Sequence, residues 1–287
     1  MLGIFLLRSK QMHSKHSTSY INISSDLWTQ QIWKNAEQKW ISRCGQDHFY
    51  RDHVAIPGLV YCIKHLCKPC IIDIVDIGSG DGYFTNKFAS EIFDIGFKIE
   101  NICLLDLSMK QLEIATNREF LKNAHKVVCN FLTPKWAEKI PMSNNRRLYI
   151  CVFVIQELHS LDGFMNGLSK IMKTEELAFI LTIDPAFSEL LAQKNKIISI
   201  IKSNHFEDWD WRGLYPIDGD AGRFYLPHFQ RKIKQLKTQF IQNNLKCIYI
   251  DFLKVPFNNQ NISIFSKTIY GMDILETFSS IIMVIKK

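Results

Sequence analysis

No apolar run in this sequence approaches the ~18 residues of a membrane-spanning helix, and its clearest hydrophobic stretch, "LYICVFVI" at 148–155, has the length of a strand. Nor does any second C-x-x-C or H-x-x-x-H follow the "CKPC" of Cys67 and Cys70, so a four-ligand zinc site would lack half its ligands. The opening "MLGIFLLRSK" has an apolar part of only about six residues and no small-residue cleavage pattern after it, which argues against secretion. Acidic residues are absent before Asp26, and Arg8, Lys10 and Lys15 supply three of the formal +7 charge. The excess left over is smaller than a dedicated nucleic-acid binder shows, so nucleic acid is disfavoured as a partner. Of the eight cysteines, three lie inside apolar strand-like runs and read as buried free thiols of a reducing compartment. The expected location is therefore cytoplasmic, with an organelle presequence over residues 1–25 as the alternative.

A hydrophobic content of 47% over 287 residues suffices for a full core. Residues 1–25 read as a flexible arm, and 26–68 as a helical cap in which Leu27, Ile32, Trp33, Ala36 and Trp40 form the apolar face. From residue 69 onward, strands that are apolar throughout alternate with amphipathic helices. They are "CIIDIVDIG", "NICLLDL", "HKVVCNFL", "LYICVFVI" and "LAFILTID". Such strands imply a doubly wound α/β domain over 69–287, with a mostly parallel sheet covered on both faces. "KCIYIDFL" and the C-terminal "FSSIIMVIK" lack a helix between them and should pair antiparallel at the sheet edge. Residues 185–228 break the rhythm with aromatic, acidic and turn-forming residues, and suit a substrate-side insertion.

The first strand runs into "VDIGSGDGY", where Gly78, Gly80 and Gly82 allow backbone to approach a ligand closely. A dinucleotide fingerprint wants a further Gly or Ala three residues after its second glycine, and Tyr83 stands there instead. Asp76, two residues before Gly78, suits a cationic ligand and would repel a pyrophosphate. Asp106 ends the second strand, where a carboxylate can accept both ribose hydroxyls, a feature that dinucleotide sites share.

Together, D-x-G-x-G-x-G, "LLDLSMKQLEIA" and "VFVIQELHSLDGFMNGLSKIMK" resemble the class I S-adenosylmethionine-dependent methyltransferase family over roughly residues 70–185. The resemblance implies a Rossmann-like fold with S-adenosylmethionine as cofactor. It places the methionine half at Asp76, Gly78, Ser79, Gly80 and Gly82, the ribose at Asp106 with Leu107, and adenine at Asn130 and Phe131. The pair after strand three often begins with Asp in the family, and "TEEL" replaces the usual Gly-Gly turn before strand five. "IWKNAEQKWISRCGQDHFYRDHVAIPGL" is similar to the cap helix and following loop of small-substrate methyltransferases, which puts Arg51 at the cofactor carboxylate, against a plain surface role.

Methyl transfer needs alignment, and a base only when the nucleophile must lose a proton. His159, beyond strand four, and His228, in the insertion, are the candidate bases; helix capping and packing are the competing roles. Trp209, Trp211, Tyr225 and Arg231 are candidates for the substrate wall, with Tyr215 beside them, and each has an alternative as a structural anchor. Asp208, Asp210, Asp218 and Asp220 lack metal-loop spacing and read as a solvated loop, so no metal is expected. An (Asp/Asn)-Pro-Pro-aromatic motif after strand four and a Pro-Cys pair are both missing, which points away from nucleic-acid bases and toward a small molecule or peptide side chain. The competing classes are a nicotinamide-dependent oxidoreductase and a non-catalytic methyltransferase-like binding module.

Overall fold

The computed structural model describes residues 29, 31–37, 39, 50–193, 197–203, 208–217, 222–254 and 280–287. The expected N-terminal arm, with Leu27, Trp40, Asp218 and Asp220, lies outside them.

A seven-stranded sheet forms the frame. It comprises β1 (Ile71–Ile77), β2 (Lys98–Asp106), β3 (His125–Val128), β4 (Arg146–Val152), β5 (Leu177–Ile183), β9 (Lys246–Leu253) and β10 (Ser280–Lys286). Their spatial order is β3-β2-β1-β4-β5-β10-β9. Strands β1 to β5 pair in parallel, and β10 runs antiparallel to both β5 and β9. The expected antiparallel pairing thus holds, with β10 inserted inside the sheet and β9 at its edge. The sheet is doubly wound from β1, which puts the crevice between β1 and β4 at the carboxyl edge.

Strand periodicity divides the core into two layers. Ile72 and Ile74 of β1 and Ile282 and Val284 of β10 face one layer, packed on α2 (Ile56–Leu66), α3 (Tyr83–Asp94) and α4 (Met109–Ala115). Val75, Ile77, Ile281, Met283 and Ile285 face the other, covered by α5 (Asp162–Ile171), α7 (Ile233–Gln242) and the fully buried Trp136. Burial on both faces is why these strands are mostly apolar rather than alternating.

Two expected strands stop early. The run expected at 148–155 ends at Val152, because Phe153 turns into the left-handed region (φ 57°) while its N–H still donates to Leu181 O at 2.8 Å. The run through Leu132 ends at Val128, after which Cys129 N–H donates to Asp106 O and the chain leaves the sheet.

The region expected as a substrate-side insertion folds into α6 (Pro185–Gln193) and a separate antiparallel sheet of β6 (Ile198–Lys202), β7 (Trp211–Ile217) and β8 (Phe224–Gln230). This sheet has its own apolar core: Phe187 and Leu191 of α6, with Tyr215, Ile217, Phe224 and Leu226. Ala36 joins that core and Trp33 packs against it, both from α1, the N-terminal helix carrying residues 31–37. Insertion and cap therefore form one roof. Among the described residues, no helix is long and apolar enough to cross a membrane.

Candidate active site

The glycine loop is fastened at the end of β2. Gly78 N–H and Ser79 N–H both donate to Leu105 O, at 2.7 and 2.9 Å, and Gly80 N–H donates to Asp106 Oδ2 at 2.9 Å. Asp106 Oδ1 accepts Ser108 N–H at 2.9 Å, so one carboxylate staples the loop to the start of α4. Gly78 (φ 81°) needs to be glycine on two counts, because a Cβ there would sit 2.2 Å from Val154 Cγ2. Inside the loop, Ser79 is buried and its Oγ has no hydrogen-bond partner. An orphaned hydroxyl in a glycine cradle fits a ligand with polar groups to offer.

Carboxyl groups dominate the surrounding field. Asp76 is buried behind the loop and accepts a hydrogen bond from Thr85 Oγ1 of α3. Burial pushes its pKa up to about 7; the Thr85 bond opposes the rise and the Asp106 charge adds to it. Burial likewise raises Asp106, against the N–H groups of Ser108, Gly80 and Leu107, while Glu37 of α1 raises it further. Glu37 also accepts a hydrogen bond from Ser108 Oγ at 2.6 Å, which brings the cap helix to the corner beside Asp106. Glu157, on the single 3-10 turn after β4, is held well above the usual carboxylate range by burial and by Asp106. Such an edge favours a cation and disfavours a pyrophosphate.

Tyr83 fills the place a dinucleotide fingerprint reserves for a small residue. Its hydroxyl donates to both oxygens of Asp52, at 2.8 and 2.7 Å. Arg118 lies 5.3 Å from its ring centroid and pairs with Asp81. The ring thus ties the loop to the π-helical turn Arg51–Ala55 of the cap, and Arg51 is close enough for its charge to act on the Tyr83 hydroxyl. Leu107 is exposed beside Asp106, with Met109 exposed next to it, so an apolar surface flanks the carboxylate.

The other sequence candidates have partners within the protein. Asn130 Oδ1, expected at adenine, accepts Leu132 N–H at 3.0 Å and closes a turn. Phe131, expected to stack on a ligand ring, is buried edge-on against Trp136 at 5.7 Å and belongs to the sheet core. Arg231, expected at the substrate, is buried instead as a clamp. Its guanidinium donates to the carbonyls of Ile155, Leu158 and His159 and pairs with Asp208 at 2.8 Å. Asp208 in turn accepts Leu161 N–H, so a residue expected in a solvated loop locks the segment after β4. Trp209 is buried against Phe229, with ring centroids 5.6 Å apart. Trp211 is half-buried against His228 at 5.3 Å, and Tyr225 is half-buried on β8.

The two histidines separate. His159 is half-buried beyond β4, its ring edge toward Phe229. His228 is buried in the roof, 3.1 Å from Ser188 Oγ, and burial with the Arg231 charge holds its pKa down to about 3. A neutral imidazole with so little basicity is a packing and hydrogen-bonding group rather than a base. Glu37, Asp52 and Glu157 are the site residues that sequence reasoning missed. Only Glu157 carried a signal, as an acid at the end of an apolar strand.

The sheet order and the position of the glycine loop define the class: this is the fold of the class I S-adenosylmethionine-dependent methyltransferases. Similar solved structures include DhpI in complex with SAM and HEP, at 12% identity over 94% of this chain and 100% of that chain, TM-score 0.53. An S-adenosylmethionine-dependent methyltransferase of Clostridium acetobutylicum matches at 12% identity over 92% of this chain and 99% of its own, TM-score 0.50. A geranyl diphosphate methyltransferase in complex with GPP and sinefungin matches at 12% identity over 81% of this chain and 76% of its own, TM-score 0.50. At these identities the likeness is one of fold. The sequence matches no protein-family model, and a search of curated proteins returns no match.

Two outcomes follow from this geometry. Gly78→Ala should lower unfolding stability by about 2–4 kcal/mol, combining overpacking with a left-handed backbone. Adding Val154→Ala should return only the overpacking part, measured by urea denaturation. For His228, the folded value of about 3 lies below the unfolded 6.5, so its contribution is complete above pH 6.5 and is lost as pH falls. Between pH 7 and 5 the loss should be about 2 kcal/mol. Asp76 acts in the opposite sense over the same window, so the measurement is the difference between the native chain and His228→Gln. Equal pH slopes for the two would contradict a buried neutral imidazole.

Proposed function

We propose that this chain is a methyltransferase that uses S-adenosylmethionine to methylate an oxygen or nitrogen of a small molecule. The observation that carries the reading is the Asp106 staple, which presents a carboxylate and the glycine loop to one ligand while Asp76 and Glu157 add carboxyl groups beside them whose ionised forms a cation would stabilise. Tyr83, bonded to Asp52, occupies the space that a nicotinamide dinucleotide loop keeps clear, which weighs against the oxidoreductase reading.

S-adenosylmethionine supplies a methyl group already activated on a sulfonium sulfur. The protein's part is to bind, align and keep water out. Asp106 would accept the ribose hydroxyls, with Leu107 against the adenosine. The backbone of Gly78 to Gly82 and the Ser79 hydroxyl would meet the methionine half, with Arg51 at its carboxylate. Ionised carboxyls at the edge would favour the sulfonium over its neutral product. His159 is the remaining histidine for an acceptor that must lose a proton. A roof built jointly by cap and insertion favours a small acceptor over a peptide lying in an open groove. Buried cysteines with raised pKa values, such as Cys103 and Cys151, suit a reducing, cytoplasmic setting.

Calorimetry tests the reading. S-adenosylmethionine and S-adenosylhomocysteine should both bind, and Asp106→Ala should weaken both by about tenfold or more. The preference for the sulfonium compound should rise as pH increases through about 7, where Asp76 ionises, and Asp76→Asn should flatten that rise. Binding of NADH in place of either compound, or binding of neither, would overturn it.

A further inference from the structure

Beside the turn that carries Glu157, a small cleft with room for about one water-sized group lies between the end of β4, the end of β5 and strand β8. Its polar lining comes from Gln156, Thr182, Ser188, His228, Gln230 and Arg231. Most of this chemistry is already paired. Thr182 Oγ1 donates to Gln156 Oε1 at 3.0 Å, and His228 Nε2 lies 3.1 Å from Ser188 Oγ. Arg231 spends its NH1 and NH2 groups on backbone carbonyls and Asp208, so its charge is compensated away from the cleft. Gln230 is 5% exposed, and its side-chain oxygen has no hydrogen-bond partner. A buried carboxamide oxygen left without a donor costs stability, so it marks a place where a ligand donor is wanted.

The lining also says what kind of group. It contains no acid, and its single cation is paired with Asp208, so a charged ligand group would enter without a counter-ion. His228, held neutral, adds no charge at working pH. Hydrogen-bonding groups without charge remain, set among apolar walls that include Ile155 and Ile183.

Resting on the methyltransferase reading above, we propose that this cleft is the acceptor-recognition subsite and that it takes a small uncharged hydrogen-bond donor, a hydroxyl or carboxamide, of the acceptor molecule. The donor hydrogen-bonds Gln230 Oε1, and Ser188 with His228 supply a second contact. The cleft borders the turn from which Glu157 faces Asp106, so a group seated in it holds the rest of the acceptor at the carboxyl edge of β4, beside the cofactor cradle.

The test follows the isoleucine methyl NMR signals of Ile155 and Ile183 in protein saturated with S-adenosylhomocysteine. The probes are 1,2-propanediol and propionamide against propionate and propylammonium. The neutral pair should move both signals with an affinity about tenfold or more above the charged pair. Gln230→Leu should remove the discrimination, while Gln230→Glu should turn the preference to propylammonium; the second variant keeps the shape if the first does not fold. S-adenosylhomocysteine affinity should be unchanged in both. Equal response to all four probes, no response to any, or discrimination that persists in both variants overturns the cleft assignment. If S-adenosylhomocysteine itself does not bind, the methyltransferase reading fails and the acceptor assignment falls with it, an outcome distinct from bound cofactor with an unselective cleft.

Discussion

The arrangement depends on the fastening of the glycine loop to the end of β2. Three successive N–H groups, from Gly78, Ser79 and Gly80, would otherwise be orphaned where the sheet ends, and Leu105 O and the Asp106 carboxylate take them. The same carboxylate accepts Ser108 N–H and so fixes the start of α4. A single acid therefore joins the ends of β1 and β2 to the starts of two helices. On the proposed reading the same acid would also hold the ribose, so that ligand recognition and loop architecture would share one group.

The roof extends that logic. Glu37 reaches Ser108, Asp52 reaches Tyr83, and Ala36 enters the apolar core of the insertion. Two segments far apart in sequence, the cap and the residues after β5, thus converge through a shared apolar core, and Glu37 and Asp52 anchor the cap on the loop side. Water exclusion at such a site comes from packing between roof elements, while their positions come from hydrogen bonds to the frame.

How much of this was legible in the sequence follows from range of interaction. The parallel frame was, because burial on both faces leaves a continuous apolar run in each strand, as in "IIDIVDI", and because the glycine spacing is local. The carboxylate at 106 was legible for the same reason: it directly follows an apolar run. What stayed hidden depended on partners at long range. Phe131 sits next to a plausible ligand position, yet it is directed into Trp136 by a chain turn that no periodicity records. Arg231 looks like a substrate residue by composition, while its donors go to carbonyls more than 70 residues earlier. The insertion looked irregular because aromatic and turn residues dominate it, whereas short antiparallel strands with a private core hold it.

The treatment of charge separates the two halves of the site. Burying Arg231 is tolerable because Asp208 and three carbonyls meet it, and the pair locks the segment after β4 in place. Asp76 is buried and Asp106 and Glu157 are half-buried, and the charges that act on them are those of Asp106 itself and Glu37. Their raised pKa values express that repulsion and desolvation, since a proton is the cheapest available counter-charge. A ligand that carries its own positive charge can replace the proton. On the proposed reading, the acids at the cradle would hold free energy that a cation releases, whereas the paired Arg231 and the uncharged cleft beside it would offer a cation no counter-charge. On that reading, one edge of the sheet is thus divided into a half that would select by charge and a half that would select by hydrogen bonding.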